Sequence, residues 1–146
     1  MTTTILAPTP VQAVHVIKTI TFDWTSTLGA INTTTTFFTV TGECEILSLV
    51  PFCTVDLASA DAATITLGVT SSTSLFLAAT TATVIDVGEF WVNTTPVANG
   101  VALPAAFKNI VVTDNVVGAV ATGTITAGAI RMDLWYRPLS ADGAMA

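Results

Sequence analysis

More than a third of this chain branches at Cβ: 28 Thr, 17 Val and 10 Ile stand among its 146 residues. Branching at that carbon narrows χ1 and favours the pleated strand over the helix. The straight-chain helix formers Glu, Lys, Arg, Gln and Met number only 11 together, too few to offset that bias. The chain is therefore expected to be all-β. Leu, Ile, Val and Phe supply 45 residues, well above the roughly one-fifth below which chains fail to build a core. A chain of this length is expected to form one domain that buries about 70% of its unfolded surface.

The surface is unusual. Only 14 residues carry charge, 10% of the chain, against about 25% in ordinary domains. Thr, Ser and Ala must therefore cover the exterior, which suits a subunit whose faces are covered by partners. The four cations, Lys18, Lys108, Arg131 and Arg137, lie far apart in sequence among ten carboxylates. Nucleic acid is not an expected partner, because phosphate binding needs clustered Lys and Arg. Residues 1–15 contain no Lys or Arg, and Pro8 and Pro10 interrupt any apolar signal core, so no export signal is expected. No run of about 18 apolar residues offers a membrane span. Cys44 and Cys53 share one extended run; nine residues at about 3.3 Å each hold them roughly 30 Å apart, too far for a disulfide. Two reduced, buried thiols are expected, as in a protein matured in a reducing cytoplasm.

Residues 1–12 read as an extended N-terminal arm, with Pro8 and Pro10 fixing local φ. Residues 13–139 read as a single antiparallel β-sandwich of the jelly-roll kind with eight or nine strands, and residues 140–146 as a C-terminal tail. The expected strands are Val14–Phe22, Thr33–Thr41, Glu43–Val55, Thr64–Thr70, Leu75–Ala79, Phe90–Asn93, Phe107–Thr113, Val116–Ala121 and Ile130–Tyr136. Gly42 separates the second from the third. Asp56–Ala63, Ser71–Ser74 and Thr122–Gly128 read as loops or turns. The last strand alternates most clearly, with Ile130, Met132, Leu134 and Tyr136 against Arg131, Asp133, Trp135 and Arg137.

No catalytic motif is present: neither GxSxG, nor HExxH, nor a P-loop, nor the Rossmann glycines occur. His15, the single histidine, therefore reads as structural or interfacial. Glu43 and Glu45 share a strand face at a spacing of about 7 Å, within reach of a glycosidase pair or a calcium site, although a solvated strand edge explains them more simply. Asp86 and Glu89 around Gly88 read as a turn. No metal and no cofactor is expected, and the chain is not expected to be an enzyme. Arg131, Asp133, Trp135 and Arg137 carry two readings: a polar interface stripe with an aromatic anchor, or an exposed strand face with a local ion pair. Trp24 and Trp91 read as packing residues.

The segments TVTGECEI (39–46), ATITLGVT (63–70), FWVNTTP (90–96), ITAGAIRMDLWYRP (125–138) and RPLSADG (137–143) resemble small virion proteins encoded among the head genes of tailed bacteriophages, the capsid decoration or cement proteins. The resemblance implies a β-sandwich subunit, often a homotrimer, on the outer capsid surface of a virion assembled in a bacterial cytoplasm. Its partner would be the major capsid protein, and no catalytic residue is implied. The arm, through Ile5, Leu6 and Pro8, is expected to add a strand to a capsid-protein sheet edge. A glycan- or receptor-binding tail module exposing Trp24, Trp91 or Trp135 is the alternative, with a small hydrolase using His15 or the Glu43–Glu45 pair a distant third.

Overall fold

The computed structural model describes residues 13–23 and 27–146; the arm residues Ile5, Leu6 and Pro8, and Trp24, lie outside them. The strands are β1 (Val14–Asp23), β2 (Thr33–Phe38), β3 (Val40–Thr41), β4 (Cys44–Ser59), β5 (Thr64–Val69), β6 (Ser72–Thr81), β7 (Ile110–Val112), β8 (Val116–Ala121), β9 (Ile125–Pro138) and β10 (Ala144–Met145). Two 3₁₀ turns, Ala82–Val84 and Ala105–Phe107, are the helical elements among the described residues.

Two four-stranded antiparallel sheets form, in the orders β1-β9-β4-β7 and β2-β8-β5-β6. First strands pair with last and inner with inner: β1 with β9, β2 with β8, β4 with β7, β5 with β6. Such nesting is a long double ribbon rolled over on itself, the jelly-roll topology. One core fills the space between the sheets, with Ile20, Phe22, Ile46, Leu49, Met132 and Leu134 from the first and Ile65, Leu67, Leu77, Val116 and Val120 from the second. The fold class expected from β-branching and turn spacing is the one observed.

Several local expectations differ. Phe90–Asn93 is not a strand: Phe90 makes only isolated bridges to Phe52 and Val97. It lies along the edge of β4 where Pro51 accepts a bond from the Trp91 N–H but has none to return, so a regular ladder cannot extend there. Phe107 closes a 3₁₀ turn, and Asn109 at φ 56° breaks the chain before the short β7. The Asp56–Ala63 loop begins late because β4 continues through bulges to Ser59, and the Thr122–Gly128 turn ends early because β9 starts at Ile125. β6 likewise spans Ser72–Thr81, taking in most of the expected Ser71–Ser74 turn. Gly42 adopts φ +62° between β3 and β4, a conformation L side chains rarely take. Residues 140–146, expected as a tail, return to the sandwich: β10 pairs with β3 and Met145 is buried in the core.

Candidate interaction face

The outward face of the first sheet gathers most of the side chains singled out in the sequence. Along β9 the inward residues Ile130, Met132, Leu134 and Tyr136 are buried, so Arg131, Asp133, Trp135 and Arg137 point outward together. Register then supplies their neighbours. On the β1 side Thr19, Ile17 and His15 stand opposite Arg131, Asp133 and Trp135. On the β4 side Phe52, Val50, Ser48 and Glu45 stand opposite Arg131, Asp133, Trp135 and Arg137.

The contacts along this face are specific. Arg131 Nε donates to Asp133 Oδ2 at 2.8 Å, while its guanidinium lies 4.9 Å from the Phe52 ring centroid, a cation–π arrangement. His15 Nε2 is 3.4 Å from the other oxygen of Asp133. The His15 ring stacks on the Trp135 indole with centroids 4.3 Å apart and planes 5° from parallel. Arg137 Nε donates to Glu45 Oε2 at 2.9 Å, with Nη2 also in contact. Between these paired charges Trp135 remains 43% exposed and Ile17 57% exposed. Beside Val50 the 90–104 loop walls an open, mostly apolar groove of about 180 Å³, lined also by Phe90, Val101 and Leu103.

Other candidates dissolve into structure. The Glu43–Glu45 pair is divided: Glu45 is held by Arg137, while the backbone carbonyl of Glu43 accepts the Leu139 and Ser140 amides. Asp86 and Glu89 form a turn, the Glu89 carboxylate accepting the Asp86 N–H at 3.1 Å and the Asp86 carbonyl accepting the Glu89 N–H. Among the described residues no three His, Cys, Asp or Glu side chains converge as metal ligands would. Cys44 and Cys53 are both buried and free. Burial pushes the Cys44 thiol up, and Asp142 adds to it. Cys53 is pushed up to about 11, chiefly by burial, although a backbone hydrogen bond at Val55 opposes the rise. Both thiols are protonated at neutral pH and poor nucleophiles.

Of the four stripe residues, all lie on one face. Sequence reasoning did not place His15, Ile17 and Phe52 beside them. Alternation in β1 puts His15 and Ile17 on one side, but only register brings that side to Trp135. Trp91 is fully buried, its indole Nε1 donating to Thr80 Oγ1 at 3.0 Å, so it packs as expected and offers no surface to a sugar. No family model, no curated protein and no solved structure matches this chain.

Proposed function

We propose that this chain is a virion structural protein that decorates the outside of a tailed-phage capsid as an oligomer, a homotrimer, and ties neighbouring capsomers together. The observation that carries the reading is the outward face of the first sheet, where Ile17 and Trp135 stand exposed among mutually paired charges. Aromatic and Arg side chains at the centre of a contact, with charge neutralised locally, are the composition of a protein–protein interface. A chain with 14 charged residues and net charge −6 suits a particle surface, where many modest contacts sum over many copies. Jelly rolls also serve lectins, and fold alone does not choose between the two. The site favours assembly: His15 covers one face of the Trp135 indole, so a sugar-stacking platform there is half occupied.

Co-sedimentation with emptied, expanded tailed-phage capsids tests the reading. The protein should pellet with them at a saturable copy number related to capsid symmetry. Protein that stays in the supernatant, together with binding on a glycan array, transfers the reading to a tail or receptor-binding module.

A further inference from the structure

We propose that the outward face of the first sheet is a two-fold contact between copies of this chain, centred on Trp135. The inference rests on reading the chain as an assembling subunit and names the partner of one of its faces; in a trimeric subunit this two-fold contact joins one trimer to another and makes a hexamer.

The argument is charge complementarity at fixed spacing. Outward residues along a strand recur about every 6.6 Å, and two sheets pack face to face about 10 Å apart. A two-fold axis crossing β9 at Trp135 lays a second β9 antiparallel over the first. Asp133 then faces the partner's Arg137, and Arg137 faces the partner's Asp133. Opposite charges meet twice, and the exposed indoles meet at the axis, where anchors of an interface belong. Centring the axis on Asp133 instead sets two carboxylates face to face. Centring it midway between Asp133 and Trp135 opposes Arg131 to the partner's Arg137. The sheet twist of about 30° displaces positions one pair from the axis by only about 3 Å, within the reach of an Arg side chain.

Neighbouring features agree with this register. Ile17, more than half exposed and opposite Asp133 on β1, is covered by the second copy. The loop wall beside Val50 stands at the Asp133 level on the β4 side. The same axis carries the partner's wall to the other end of the stripe, level with Glu45, so the two walls stand at opposite ends of the contact on its β4 side.

Within one chain Asp133 and Arg137 are four residues apart on a strand, about 13 Å, and bond to Arg131 and Glu45 instead. Any attraction between them is therefore intermolecular, which gives a decisive test on the full chain. The molar mass of the wild type, D133R, R137D and an equimolar mixture of the two variants is measured by light scattering, with circular dichroism confirming that each is folded. Each variant alone faces two pairs of like charges across the axis and should show half the wild-type mass. In the mixture a D133R chain, cationic at both positions, meets an R137D chain, anionic at both. Opposite charges then face each other twice again, and the mixture should return to the wild-type mass. W135A, a change at an exposed position, should also halve the mass, which keeps the test open should a charge reversal not fold. Variants at full wild-type mass, or a mixture that stays halved, overturn the proposal, as does a monomeric wild type. A mass that is a multiple of three and unchanged in every variant overturns the two-fold face while the capsid reading stands. Capsid binding that fails while the factor of two holds does the reverse.

Discussion

Thr80 is the one buried polar residue among those described, and its hydroxyl has a definite task. Trp91 is fully buried, and its indole N–H donates to Thr80 Oγ1 at 3.0 Å, while the hydroxyl donates on to the Ala78 carbonyl at 3.3 Å. Thr80→Val keeps nearly the same shape but removes the acceptor, leaving an indole N–H in the core with nothing to bond. A stranded buried donor costs about 1–3 kcal/mol, more than the about 1 kcal/mol that a satisfied hydrogen bond contributes net. Urea unfolding followed by circular dichroism should show a lower midpoint at unchanged slope. The same substitution in a Trp91→Phe background should change sign. There the donor is gone and Thr80 presents a hydroxyl to an apolar ring, so Val is neutral or stabilising. A Thr80→Val cost that is equal in both backgrounds would refute the reasoning and place the penalty in packing or in the bond to Ala78.

Gly118 lies under the Phe37 ring, and a Cβ there would stand 2.3 Å from Phe37 Cζ. Because that ring is itself buried, Gly118→Ala should cost about 1–3 kcal/mol through overpacking, and distinctly less in a Phe37→Leu background; an equal cost in the two backgrounds would show the strain to lie elsewhere. Cys53 gives a pH signature. Its folded value, about 11, exceeds the ordinary 9.0, so the unfolded chain loses this proton first as pH rises. The Cys53 contribution is thus fully present below pH 9, declines between pH 9 and 11, and levels off above, a change of about 3 kcal/mol. The difference in unfolding free energy between wild type and Cys53→Ala should follow that course, and a difference flat from pH 8 to 11 would reject the shift.

What the sequence made legible was whatever depends on period two. The inward and outward sets of β9 follow directly from alternation, and the jelly roll follows from many short β-branched runs with no room for helical crossovers. What it could not show depends on register and on the third dimension. Phe90–Asn93 has the residues of a strand, but Pro51 on the neighbouring edge withholds the donor that would extend the ladder. The last residues look like a tail because ADGAMA contains one large apolar side chain, Met145. Its burial depends on β3, which lies more than 100 residues away in sequence. His15 was visible only as a lone histidine, and its role beside Asp133 and Trp135 exists because β1 pairs with β9 in one particular alignment.

The same register explains why so sparsely charged a chain concentrates its ion pairs where it does. The two ion pairs found among the described residues, Arg131–Asp133 and Arg137–Glu45, and the His15–Asp133 contact all lie on the outward face of the first sheet. Pairs this exposed contribute about 0–1 kcal/mol each to folding, so stability does not account for their placement. Specificity does. Among the described residues β1 is the edge of that sheet and carries exposed Ile17, and an apolar face beside a sheet edge invites indiscriminate strand pairing and aggregation. Fixed charges of alternating sign penalise every alignment that sets like against like, while costing little in one that sets Asp133 against Arg137. On such a face the ion pairs select which surface it meets, and Trp135 and Ile17 supply the apolar contact once the match is made.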